Sequence, residues 1–224
     1  MREKRDVAKS PAQPPAPAYR KRPRPKRKMP PEVLNDGEVQ LLLAALSQRT
    51  AVGIRNRALI ATLYRSGIRL GEALSLYPKD LDLANGAVRV LRGKGGRSRI
   101  VGIDPGAGGL VEAWVAARVA AGLARDVPLF CSLLGNPLTT AYIRRRLPAL
   151  GRKAGIEKRV HAHGLRHTHA AQLRSEGVDI GIISKQLGHT SIATTVRYLD
   201  HIAPVAVIEA VRARVWSSQA AGQP

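Results

Sequence analysis

Four short stretches of this chain carry side chains whose types and spacing could do phosphate chemistry. The first is Ser66-Gly67-Ile68-Arg69-Leu70-Gly71-Glu72, a glycine-broken turn leading into a helix. It puts Arg69 at a helix N-terminus, where the backbone dipole favours an anion and a cation gains nothing. With Glu72 three residues later to pair with it, the arrangement suggests that the two together hold a phosphate. The plainer alternative is an ordinary solvated Arg-x-x-Glu pair, worth about 0.3 kcal/mol. The second stretch is Arg92-Gly93-Lys94-Gly95-Gly96-Arg97-Ser98-Arg99, a turn crowded with cations. It lacks the spacing of a P-loop and follows a strand rather than leading into a helix. It is either a solvated hairpin tip or a loop that delivers Lys94 to a phosphate, its glycines letting backbone approach the ligand closely. The third is His161-Ala162-His163-Gly164-Leu165-Arg166-His167-Thr168-His169, and the fourth is Leu187-Gly188-His189 followed by Tyr198. His163 and His167, four apart, share a helix face and so raise a zinc reading. No carboxylate or cysteine ligand lies nearby in sequence and Arg166 would oppose a dication, so no metal site is expected. For His161, His167 and His169 the default is a structural role.

Positioning these residues falls mainly to helices. Val39, Leu42, Leu43 and Leu46 recur at helical spacing behind a cap supplied by Asn35 or Asp36. A second helix carries Ala58, Leu59, Thr62 and Leu63 and breaks at Ser66-Gly67, and a third runs from about Leu70 to Leu76. The period then changes to two. Asp82 to Ala84, an Asn85-Gly86 turn and Ala87 to Leu91 read as a hairpin, with Arg99 to Val101 as a third strand. Beyond Pro105 helices are expected at about 109–123, 139–154, 163–176, 179–187, 191–198 and 203–216. The fold class is therefore mainly α with a small three-stranded antiparallel β-sheet, and no internal repeat is present.

Bulk composition narrows the partner. The 224 residues suffice for one good-sized domain with an appendage. Lys and Arg number 37 against 16 Asp and Glu, a formal charge of +21, which favours a polyanion. No apolar stretch is long enough to span a bilayer and no signal core opens the chain, so nucleic acid is expected as partner and a membrane is not. Cys131 is the only cysteine, which excludes disulfides within one chain and fits a reducing cytoplasm. The abundance of Ala, Arg and Gly points to a GC-rich bacterial genome. Residues 1–30 hold eleven Lys and Arg against two acids, a balance of +9, with many prolines and almost no large apolar side chain. Such a segment is expected to be disordered in isolation. Its run Lys21, Arg22, Arg24, Lys26, Arg27 and Lys28 reads as a DNA-binding arm covering 1–32.

Taken together, the stretches resemble the catalytic domain of the tyrosine recombinase (phage integrase) family. The order is an arginine in Ser-Gly-Ile-Arg-Leu-Gly-Glu, a lysine in a Gly-Lys-Gly hairpin turn, His-x-Leu-Arg-His, Leu-Gly-His and then tyrosine. No single element is specific; the five in this order are. The resemblance covers about residues 35 to 202 and implies an active site of Arg69, Lys94, His163, Arg166, His189 and Tyr198, with Glu72 supporting the first arginine. Arg92, Arg97 and Arg99 are expected to touch DNA beside Lys94. It further implies a site-specific recombinase acting on double-stranded DNA in the bacterial nucleoid, a homotetramer on that DNA, and room for an accessory DNA-bending protein.

These roles are chemically coherent. Reversible cleavage of a phosphodiester needs a covalent bond that stores its energy, and Tyr198 can supply it as a phosphotyrosine. Arg69 and Arg166 are bidentate donors for the non-bridging oxygens of a five-coordinate transition state. Lys94 can protonate the departing oxygen, His163 can take the phenol proton or act on the phosphate, and His189 can donate a hydrogen bond to it. The resemblance implies a 3′-phosphotyrosine and a free 5′-hydroxyl, and neither metal nor ATP nor another cofactor is called for.

Family members commonly carry a helical core-binding domain before the catalytic one. Only the basic arm precedes residue 33, so that two-domain clamp is expected to be missing, as in short members of the fimbrial phase-variation type. Residues 33–202 are read as the catalytic domain and 203–224 as a C-terminal helix and tail. Val205, Ile208, Val211 and Val215 share a face of that helix, which docks either on its own domain or, as the resemblance implies, on a neighbouring protomer. Two rival functions are a type IB topoisomerase-like relaxation of DNA and a non-catalytic DNA-binding regulator derived from a recombinase.

Overall fold

The computed structural model describes residues 32–91, 98–202 and 211–214. The first helix, α1 (Asp36–Ala44), starts at a reciprocal cap. The Asn35 side chain accepts from the Glu38 N–H, and the Glu38 carboxylate accepts from the Asn35 N–H. Helix α2 (Ala51–Arg65) is capped by Thr50 and is apolar on most sides, with Ala58, Leu59, Ile60, Ala61 and Leu63 all buried. Such a helix belongs inside a core. It packs against α4 (Pro105–Ala120) and α6 (Ala162–Ser175). The short α3 (Leu70–Leu74) stops earlier than its periodicity predicts. The Ser75 and Leu76 N–H groups turn back to Glu72 and Ala73 in a tightened last turn, just before Pro78 opens a 3-10 turn at Pro78–Asp80.

The sheet is three-stranded and antiparallel in the order β1 (Leu81–Asp82), β2 (Ala87–Val90) and β3 (Arg99–Gly102). Val88 and Val101 face one another across β2 and β3, both buried with Val90, whereas the Arg89 and Ile100 pair faces outward. The first hairpin differs from the two-residue Asn85-Gly86 turn expected. Asp82 pairs with Ala87, so the loop has four residues, and the Gly86 N–H bonds to the Leu83 carbonyl. Gly86 takes the left-handed φ of +62° that closes such a turn.

Helix α4 also begins four residues before its expected start. The Asp104 carboxylate accepts from the Gly106 and Ala107 N–H groups and Pro105 occupies the first helical position, which together overcome the glycines that follow. Trp114, at its centre, is fully buried and donates from Nε1 to the Leu129 carbonyl at 2.7 Å. Helix α5 (Thr140–Lys153) carries Pro148 internally, and α7 (Ile180–Leu187) ends at Gly188, which adopts φ +66°. Helix α8 is Ile192–Ile202.

Two apolar clusters result. The larger gathers α1 to α5, the sheet and Leu165 of α6; the smaller joins α6, α7 and α8 through Ala170, Ile183, Leu187 and Leu199. Among the described residues no helix is long and apolar enough to cross a membrane. The basic arm and most of the expected 203–216 helix lie outside the described residues; of that helix only 211–214 is described, with Val211 exposed.

Candidate active site

Arg166 is the centre on which the other groups converge. It is nearly fully buried on α6 and donates from Nη1 to the Gly67 carbonyl and from Nη2 to the Leu187 carbonyl, both at 2.6 Å. One guanidinium therefore joins the α2–α3 turn to the end of α7. The turn can present its carbonyl because Gly67 has φ +62°; a Cβ there would also meet the His169 ring at 2.4 Å. Burial lowers the Arg166 pKa to about 10, which still leaves it charged at neutral pH.

Arg69 is the N-cap residue of α3, and its guanidinium meets the Glu72 carboxylate at 2.9 Å. Glu72 is buried and also receives Arg99 from β3 at 2.8 and 3.1 Å. Burial pushes its carboxyl up, but the bonds from Arg99 and from the Arg69 backbone and side chain outweigh that and hold it at about 2. Arg99 is thus turned inward onto Glu72 instead of outward. Lys94, Arg92 and Arg97 lie outside the described residues, as do Lys21, Arg22, Arg24, Lys26, Arg27 and Lys28.

His189 follows the Gly188 cap. Its Nε2 lies 3.3 Å from Arg166 Nη2 and its Nδ1 lies 2.8 Å from Thr195 Oγ1 on α8. A guanidinium only donates, so Nε2 accepts and the proton sits on Nδ1, donated to Thr195. Burial and then the Arg166, Arg69 and Arg99 charges lower the His189 pKa to about 4. His163, which precedes Arg166 by one turn of α6, is likewise lowered, by burial and then by Arg166, His161 and Arg69. Both imidazoles are neutral at pH 7.

Tyr198 completes the group from α8. Its ring stacks on His167 at 4.9 Å between centroids and meets His189 edge-on at 5.4 Å, with His163 at 6.4 Å. The hydroxyl is buried beside the Arg166 guanidinium. Burial raises its pKa to about 12 against the pull of the nearby Arg166 and Arg69 charges. A protonated phenol, two neutral imidazoles and two guanidiniums face one place. That set can bind a tetrahedral dianion or diester, accept a phenolic proton and stabilise charge developing on phosphate oxygens.

Beside it opens a cleft of about 530 Å³ lined by Arg69, His163 and Arg166 together with Thr140, Arg144 and Arg159. Sequence reasoning missed Arg144 and Arg159, although the Arg144-Arg145-Arg146 run on a helix was a readable signal. It also missed Thr195, for which a hydroxyl six residues after His189 gave no warning. His167, for which a structural role was expected, stacks its ring on Tyr198. Among the described residues no three His, Cys, Asp or Glu side chains gather as a metal site.

The site can be set beside known proteins. The phage integrase family model matches residues 32–203. Tyrosine recombinase XerC of Rhodospirillum centenum is 37% identical over 188 residues, covering 83% of this chain and 54% of that protein. The crystal structure of XerA recombinase superposes with a TM-score of 0.73 at 31% identity, covering 84% of this chain and 68% of that one. XerH site-specific recombinase, in a post-cleavage complex with its palindromic difH substrate, gives 0.67 at 32% identity over 83% of this chain and 54% of that one. The chain spans little more than half the length of the XerC relative. A match that takes in every described element of the site, from the Arg69 turn to Tyr198, establishes that this chain belongs to the phage integrase family.

Proposed function

We propose that this chain is the catalytic part of a site-specific DNA recombinase that cuts and rejoins duplex DNA through a tyrosyl phosphodiester. The observation that carries the reading is the convergence of the Tyr198 phenol with His163, His189, Arg166 and Arg69 in one buried corner. XerH, a relative of similar fold, is a site-specific recombinase bound to its DNA substrate, which supports duplex DNA as the ligand.

In this reading Arg69 and Arg166 grip the non-bridging oxygens of the scissile phosphate, and Glu72 holds Arg69 in place. Neutral His163 takes the proton of Tyr198, whose oxygen attacks phosphorus. The bond to the 5′ oxygen breaks, and Lys94 gives that oxygen its proton. The products are a 3′-phosphotyrosine and a free 5′-hydroxyl; attack by a 5′-hydroxyl from a second duplex reverses the same steps. The incoming anion favours a proton on His189 Nε2, which then turns from acceptor toward Arg166 into donor toward phosphate. Arg144 and Arg159, together with Arg92, Arg97 and the basic arm, line the path of the strand. Two duplexes need four active sites, so the assembly on DNA is a homotetramer, with residues 203–224 docking on the neighbouring protomer.

The test is to capture SDS-resistant protein–DNA adducts on a genomic fragment library and sequence the attached ends. Adducts on 3′ ends, recurring at one sequence and absent from Tyr198→Phe, are expected. Adducts that persist in Tyr198→Phe or sit on 5′ ends overturn the reading. DNA affinity of the Phe variant should stay nearly unchanged, because one hydroxyl contributes little beside the cations.

A further inference from the structure

We propose that Arg99 is a positioning residue for the cleavage step, an internal cation that saturates Glu72 and keeps Arg69 available to phosphate, and is not itself a DNA ligand. The inference rests on the recombinase reading above. The Glu72 carboxylate is filled on both oxygens: Oε1 accepts from Arg69 Nη1 at 2.9 Å and Arg99 Nη1 at 3.1 Å, and Oε2 accepts from the Arg69 N–H at 2.9 Å and Arg99 Nη2 at 2.8 Å. Arg69 commits only Nη1 of its side chain among the described residues, which leaves Nε and Nη2 for a ligand.

Charge gives the arrangement its purpose. Arg69 and Glu72 alone cancel, so a phosphate would have to compete with a buried carboxylate for the guanidinium. With Arg99 the trio carries a net positive charge, and the carboxylate has a second cation to satisfy it. A buried carboxylate stripped of one partner is costly and draws harder on the one that remains.

The location of Arg99 excludes it from the DNA face. Its side chain is 15% exposed, and its Nε is enclosed without a partner. It lies directly under Gly188, where a Cβ would come within 2.7 Å of Cζ and Nε. Gly188 is therefore required twice, by its φ of +66° and by the guanidinium beneath it. The same seam is closed by Gln186, which accepts from the Gly102 N–H at 2.9 Å and donates to the Gly102 and Ser66 carbonyls. Arg99 thus joins β3, the strand that follows Lys94 in the chain, to the Arg69 turn and to the end of α7.

The experiment compares Arg99→Met, Arg99→Lys and the double variant Arg99→Met/Glu72→Gln in the full chain, on the DNA site recovered from the adduct library. Arg99→Met should slow single-turnover adduct formation on the order of 100-fold, as expected when a buried ion pair loses one partner. The double variant, having no stranded charge, should regain about tenfold or more over Arg99→Met, with Arg99→Lys between them. The salt dependence of DNA binding should not change in the double variant, where no Glu72 charge draws Arg69 from phosphate. A slope smaller by about 0.9 in that double variant, the signature of one lost phosphate contact, overturns the proposal, as does a double variant no faster than the single. The Glu72 carboxyl, followed by carbon-13 NMR without DNA, should titrate about one unit or more higher in Arg99→Lys and Arg99→Met than in the parent. An unmoved Glu72 also overturns the proposal. If the parent forms no Tyr198-dependent adduct, the recombinase reading fails, and the Glu72 titration still decides whether Arg99 governs that carboxylate.

Discussion

The arginines and the tyrosine are held by very different amounts of protein. Arg69 follows Ile68 and precedes Ala73 and Leu74, all part of the large cluster that fills the space between α2, α4 and the sheet. Tyr198 stands on α8, whose anchor is a cluster of four fully or nearly buried residues, Ala170, Ile183, Leu187 and Leu199. Local opening free energy follows buried apolar contact, so α8 is expected to open well below the global unfolding free energy and the arginine turn only with it. Arg166 is the tie between the two regions, with one nitrogen on the Gly67 carbonyl and the other on the Leu187 carbonyl. Arg69 is thus seated on the larger cluster and Tyr198 on the smaller one. On the proposed reading, such a division would let the phenol be delivered or withdrawn without disturbing the phosphate clamp.

Cutting the tie should have the largest effect. Arg166→Ala strands two buried carbonyls, each costing about 1–3 kcal/mol, and on the proposed reading also removes a phosphate donor. Adduct formation should fall below detection, and α8 amides should exchange faster while α2 amides hold their protection. Uniform loss of protection through both helices would show that the regions are one unit.

Paired core deletions sharpen the same contrast. Trp114→Ala opens the large cluster and should lower global stability by about 3–5 kcal/mol, read as a shift in the urea midpoint for every probe. Leu199→Ala should cost about 2–4 kcal/mol locally and reduce adduct formation with a smaller shift of the main transition. A Leu199→Ala transition that moves as far as that of Trp114→Ala would erase the distinction.

Acid should act on the junction before it acts on the carboxylates. His169 and His189 are each lowered from 6.5 to about 4, with burial the first cause. The unfolded chain therefore binds protons that the folded chain refuses, and stability falls as pH drops from about 6.5 toward 4. Glu72 works in a separate window: held at about 2, it contributes stability present above its ordinary value of 4.5 and lost as pH falls toward 2. His169→Phe should flatten the midpoint-against-pH curve between about pH 6.5 and 4 and leave the lower limb unchanged. An unaltered upper limb would remove His169 from this role.

What could be read in the sequence, and what could not, divides along the same physical line. The order of Arg69, His163, Arg166, His189 and Tyr198 was legible because each sits in a short stretch with its own turn chemistry, such as Ser66-Gly67 or Gly188. Helix positions followed from apolar periodicity, and the departures came from caps, as at Asp104. The destination of Arg99 was not legible. In a run of cations one arginine looks like the next, and only the chain path that lays β3 against α3 distinguishes it. The Arg144-Arg145-Arg146 run signals a cationic helix, but that Arg144 and Arg159 line one cleft is a long-range product of packing.

The smallest predicted effect concerns Thr195, which has no local signal at all. It is fully buried on α8, three residues before Tyr198, and receives the Nδ1 proton of His189 at 2.8 Å. That bond lies within the smaller unit and joins the end of α7, beside Arg166, to the helix that carries the phenol. Thr195→Val keeps the shape and removes the acceptor, so the ring loses about 1 kcal/mol of orientation, or roughly fivefold to tenfold in adduct rate. DNA affinity should not move, since no phosphate contact is involved. The His189 titration should broaden toward both tautomers, visible in the imidazole nitrogen-15 shifts. If the rate is unchanged, Arg166 alone orients the ring. If the rate falls while the tautomer stays fixed, Thr195 acts by holding α8 against the end of α7, and its role is mechanical before it is chemical.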